Sequence, residues 1–89
     1  MWGNLVSRRE ALLEQFPDEV LMLADGLDDA IIGYVYGEGP VVVYSAERCV
    51  DIFMQRDGMT RDEAYDFFYY NVQGGSTAPL FMHTVNDME

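Results

Sequence analysis

The sequence contains no lysine, one cysteine, one histidine and no long apolar run, and each scarcity excludes something. Without lysine, five arginines alone face sixteen acids, giving a formal net charge of −11. Such a surface repels nucleic acid and anionic membranes unless a metal or a local arginine cluster intervenes, so direct nucleic-acid binding is not expected. It favours partners that are themselves basic, although net charge also keeps small proteins apart in solution. The lone Cys49 cannot form an intramolecular disulfide, and a reduced, cytoplasmic protein is the natural reading. No apolar run approaches the roughly 20 residues of a membrane-spanning helix, so no membrane association is expected. The start, MWGNLVSRRE, lacks the basic and apolar regions of a signal peptide.

The same scarcity bears on chemistry. A triad needs His83 beside a nucleophile and an orienting acid, but Ser7 and Ser45 read as helix caps and Ser76 lies in a small-residue loop. One histidine and one apolar-face cysteine fall short of a zinc ligand set. Gly37, Gly39, Gly74 and Gly75 fit neither phosphate-loop pattern, so no cofactor is expected. His83 reads as a polar residue on an edge strand. The expectation is a protein that is not an enzyme.

What is present is a globule. Of 89 residues, 49% are hydrophobic, enough for one domain, residues 1–89, with a single modest core. Its clearest part is Ser45 to Val72. Ser45 is a natural N-cap, and Ala46, Cys49, Val50, Phe53 and Met54 recur on one helical face. Gly58 supplies the positive φ that ends this helix, with Met59 packing back on Met54. Thr60 and Glu63 form a capping box for a second helix, whose inner face is Ala64, Phe67, Phe68 and Val72.

Ahead of this pair, Ser7 and Glu10 make another capping box, with Val6 stapling on Ala11. A helix to about Phe16 follows, with Leu12, Leu13 and Phe16 inward, and Pro17 ends it. Arg8 and Arg9 sit in its first turn, against the dipole, and read as solvated side chains. Glu19 to Ala24 reads as a strand and Asp25-Gly26 as a hairpin turn. A strand from Asp29 to Tyr36 would place Ile31 and Val35 on one face, and Ala30, Ile32, Tyr34 and Tyr36 on the other. Gly37 to Pro40 turns the chain into a strand over Val41–Tyr44. After a flexible Gln73–Ala78 loop, Leu80 to Thr84 adds a last strand, and Val85 to Glu89 frays. The fold class is α+β: a small antiparallel sheet of three to four strands, with an N-terminal helix and a helix pair packed on it.

Asp25, Asp28 and Asp29 are the candidate cation site, since three carboxylates within five residues could hold Mg²⁺ or Ca²⁺. Their spacing fails the calcium-loop pattern, and a turn with a solvated rim is the favoured reading. A carboxylate-metal hydrolase is the alternative. The run Phe67-Phe68-Tyr69-Tyr70 is too wide for one helical face. It leaves Tyr65, Tyr69 or Tyr70 partly outside, either as interface residues or as cover for the first helix. This surplus, with a second apolar sheet face, makes a homodimer a reasonable expectation.

The stretches DGLDDAIIG (Asp25–Gly33), Val43-Tyr44 followed by Cys49, and DGMTRDEAYDFFYYNV (Asp57–Val72) resemble a family of small proteins encoded by bacteriophages. This chain departs from that pattern in its short Gln73–Ala78 loop and in Ala78 before Pro79. The resemblance implies a viral or prophage origin and action inside a bacterial host, and it hands over no catalytic residue. Joined to the charge, it leads to an expected role: an inhibitor that occupies the basic surface of a host nucleic-acid-binding defence complex, of anti-CRISPR or anti-restriction type. The contact residues expected are Asp25, Asp28, Asp29, Glu47, Asp51, Asp62 and Asp66, with Tyr65, Tyr69 and Tyr70. A small scaffold or regulatory subunit of phage machinery, bound through tyrosines, is the rival.

Overall fold

The computed structural model describes residues 7–70 and 79–85. Helix α1 spans Arg8–Gln15, β1 Ile31–Tyr36, β2 Pro40–Ser45, α2 Ala46–Asp57, α3 Arg61–Phe68 and β3 Leu80–Met82. This is an α+β fold with a three-stranded sheet in the order β1-β2-β3. The expected Val6 staple, the inward Val72, the Gln73–Ala78 loop and the tail beyond Val85 lie outside the described residues.

Every expected cap forms. The Ser7 and Thr60 hydroxyls accept from the amides of Glu10 and Glu63, and both glutamates return the bond. The Ser45 hydroxyl accepts from the Arg48 amide at 3.2 Å. Gly58, at φ +70°, closes α2 through its amide on the Met54 carbonyl. Such local pairings satisfy backbone groups that helix ends leave orphaned.

The sheet departs from expectation in direction. β1 and β2 form the antiparallel hairpin, but β3 runs parallel to β2, pairing Val43 with Leu80, Tyr44 with Phe81 and Ser45 with Met82. The chain leaves β2 through α2 and α3, and a long helical crossover returns a strand in the same direction. The sheet is therefore mixed rather than antiparallel.

The expected strand over Glu19–Ala24 does not form. The segment is irregular, with Leu21, Leu23 and Ala24 packed against the core and Val20 and Met22 exposed. With no strand before it, Asp25-Gly26 is a turn rather than a hairpin, and it feeds a 3₁₀ turn over Asp28–Ala30. β1 also carries a bulge between Ile31 and Gly33. The extra residue flips the alternation, so Ile31 joins the face of Tyr34 and Tyr36 instead of that of Val35.

One face of the sheet holds the core. Tyr44, Val42 and Ile31 meet Ala46, Cys49, Val50 and Phe53 of α2, and Ala64 and Phe68 of α3. Phe68 is fully buried, whereas Phe67 is only half-buried and packs edge-on against Phe53 at 4.9 Å. In α1, Leu12 is buried and Phe16 packs edge-on against Tyr34 at 4.9 Å, but Leu13 is exposed. An eight-residue helix lying on a surface buries too narrow a stripe for all three. The arginines of α1 are not free in solvent. Arg8 Nη1 donates to the carbonyls of Asp29 and Ile31, and Arg9 pairs with Asp28 at 3.3 Å. They tie α1 to the turn before β1, which accounts for positive charge at the wrong end of a helix. No helix among the described residues is long and apolar enough to cross a membrane.

Candidate functional site

The capping box at Thr60 starts α3 three residues after α2 ends, so the two helices lie side by side. On α3, Asp62, Tyr65, Asp66 and Tyr69 follow the i, i+3, i+4, i+7 spacing and form one stripe. Asp62 and Asp66 are exposed, and neither makes an ion pair among the described residues. Tyr65 and Tyr69 stack with ring centroids 6.1 Å apart. From α2, Glu47 and Asp51 reach the same side and share a groove of about 270 Å³ with Arg61 and Tyr65.

His83, just beyond β3, completes this surface. Its Nδ1 lies 3.0 Å from Glu47 Oε2, its ring stacks on Tyr69 at 6.3 Å, and Phe68 meets it edge-on at 6.5 Å. The polar residue expected on an edge strand thus stands at the end of edge strand β3, and it is also joined to a carboxylate and two aromatic rings. Sequence reasoning missed it because Glu47 lies 36 residues away. The other carboxylate oxygen, Glu47 Oε1, is buried and accepts no hydrogen bond among the described residues.

The structure thus brings together six of the ten expected contact residues: Glu47, Asp51, Asp62, Asp66, Tyr65 and Tyr69. Tyr70 follows in a wider turn at the end of α3 and is 85% exposed. Asp25, Asp28 and Asp29 stand elsewhere, beside the N-terminus of α1. There Arg9 Nη2 lies 3.7 Å from Asp25 and Nη1 lies 3.3 Å from Asp28, while Asp29 offers Arg8 its carbonyl. The Arg9 guanidinium thus faces two of the three carboxylates, Asp28 more closely than the exposed Asp25. Among the described residues, no group of three His, Cys, Asp or Glu is placed to hold a metal ion.

This face presents carboxylates, tyrosine rings and the Glu47–His83 pair. Ser45 and Ser7 spend their hydroxyls on caps. Cys49 is fully buried, and that burial, with the charge of Glu47 nearby, pushes its thiol up to about 12, far from a reactive thiolate. Comparison with protein-family models, with curated proteins and with solved structures gave no match.

Proposed function

We propose that the chain is a non-catalytic interaction protein that seats its α2–α3 face on a basic surface of a protein partner. The observation that carries this reading is the α3 stripe, where two carboxylates without an ion pair among the described residues alternate with two stacked tyrosines. Asp62 and Asp66 are an i,i+4 like-charge pair, which costs an isolated helix stability and which a cationic partner offsets. Tyrosines between them add stiff contact area with polar tips, the composition favoured at interface cores.

A groove that binds DNA or RNA is the surface best matched to such a stripe, because its arginines and lysines are spaced to meet anions. Taken with the resemblance to phage-encoded proteins, this supports inhibition of a host defence complex, of CRISPR or restriction type, in the bacterial cytoplasm. A pull-down from bacterial lysate at low and high salt tests it. The expected result is a nucleic-acid-binding protein that is released by salt, displaced by duplex DNA and lost on Asp62→Lys with Asp66→Lys. A partner without a nucleic-acid-binding surface, or one retained by the doubly reversed variant, sinks the proposal.

The tyrosine-led scaffold reading differs in its salt response, since an apolar interface barely weakens with ionic strength. A second copy of the chain has its own candidate surface. The three strands carry no charged residue, and Val35, Leu80 and Met82 stand exposed on the sheet face opposite the core. Light scattering at high salt, where the −11 charge is screened, tests this dimer. A monomeric mass at micromolar concentration rules it out.

A further inference from the structure

A second groove, of about 480 Å³, lies away from the α2–α3 face, between α1, the bulged start of β1 and the first turn of α2. Its size falls within the roughly 300–1,000 Å³ of small-molecule sites. Two features define it. Its floor is apolar, built by Leu12, Ile31 and Ile32. Its charged lining consists of Arg8 and Arg48, with no acid, in a protein where acids outnumber arginines sixteen to five.

Neither arginine serves its own helix, because each sits in a first turn where positive charge opposes the dipole. Of the acids nearest in sequence, Glu10 closes the Ser7 capping box, Glu47 contacts His83 and Asp51 lines the α2–α3 groove instead. Arg8 is held in place by the carbonyls of Asp29 and Ile31, both taken by Nη1, which leaves Nε and Nη2 to donate. Arg48 makes no side-chain hydrogen bond or ion pair among the described residues. Two guanidiniums without an ion pair among the described residues, over an apolar floor, suit an anion with an apolar body, since such forks match a carboxylate and the floor takes a chain or ring.

We propose that this groove binds a small amphipathic carboxylate, with Arg48 and the anchored Arg8 on the carboxylate and Ile32 and Leu12 against the apolar part. The reading is independent of the α2–α3 face. Amide chemical shifts of the full chain, titrated with octanoate, octan-1-ol and acetate at constant ionic strength, test it. Octanoate is expected to move the amides of Ala11, Ile32 and Gly33 and to bind about tenfold tighter than either of the others, the size of a charge-assisted hydrogen bond. Arg48→Gln should remove that advantage without unfolding the chain, and Arg48→Lys should restore part of it. Octanoate no tighter than octanol, unchanged octanoate affinity in Arg48→Gln, or shifts confined to another part of the protein would each overturn the proposal.

Discussion

The hydroxyl of Tyr44 accepts a hydrogen bond from the amide of Ala24 at 2.8 Å, joining the middle of the core to an irregular segment 20 residues earlier. That segment has apolar side chains packed on the core but no ladder partner in the sheet, so a side chain satisfies what a neighbouring strand would otherwise satisfy. Tyr44→Phe should therefore cost about 1–2 kcal/mol, because the ring still fills its site while the Ala24 donor loses its acceptor. Tyr34→Phe, which removes an exposed hydroxyl bonded to Gln15, should stay within about 0.5 kcal/mol. Urea denaturation of the two variants checks the contrast, and equal effects would show that the Ala24 bond does not hold the segment.

The two phenylalanines at the end of α3 should separate in the same way. Phe68 is fully buried against Phe81 and Tyr69, so Phe68→Ala should cost about 3–5 kcal/mol and threaten the fold of so small a domain. Phe67 is half-buried at the rim, edge-on to Phe53, and its truncation should cost clearly less. The ratio of the two losses measures how far the helix is rotated into the core. A larger loss at Phe67 would mean that the buried face is misassigned.

How much of this was legible in the sequence depended on how far apart the deciding groups lie. The caps at Ser7, Ser45, Gly58 and Thr60 use partners within four residues, and all formed as expected. Glu19–Ala24 was misread because a short apolar run fits a strand and a packed irregular stretch equally. What decides is the Tyr44 hydroxyl, which local pattern does not register. The parallel β3 was missed for a related reason, since its direction follows from how the helix pair crosses the sheet. At the candidate site, the i, i+3, i+4, i+7 spacing of Asp62, Tyr65, Asp66 and Tyr69 was readable. The Glu47–His83 contact was not, and neither was the pairing of Arg9 with Asp28.

Alkaline pH should destabilise the protein through Cys49. Burial, reinforced by Glu47, raises its thiol from an ordinary 9.0 to about 12 in the folded state. The stabilising contribution is complete below the unfolded thiol's pKa and is lost as pH rises from there towards the folded value. Within that window the loss is at most about 1.4 kcal/mol per pH unit. Tyr44, raised from 10.0 by burial, adds a loss of the same sign at higher pH. In reducing buffer, Cys49→Ala should be less stable at neutral pH but should show a flatter stability profile between about pH 9 and 10. An unchanged slope there would exclude Cys49 as its source.

Asp66 offers a test in which stability and binding move in opposite directions. It sits in the last turn of α3, where the carbonyl end of the helix disfavours an acid, and four residues after Asp62, which repels it. Replacing it with lysine reverses both terms, because an acid four residues before a base is the favourable order on a helix. Asp66→Lys should therefore gain about 0.5–1.5 kcal/mol in thermal or urea unfolding. Asp62 stands instead in the first turn, where the dipole favours it, so Asp62→Asn should give little or no gain. If the α3 stripe is a binding surface, both variants should hold the basic partner less well at low salt, although only one is more stable. A stabilised Asp66→Lys variant that binds as tightly as the parent would mean that the acids of α3 serve solubility alone. The i,i+4 repulsion between Asp62 and Asp66 would then have no functional account.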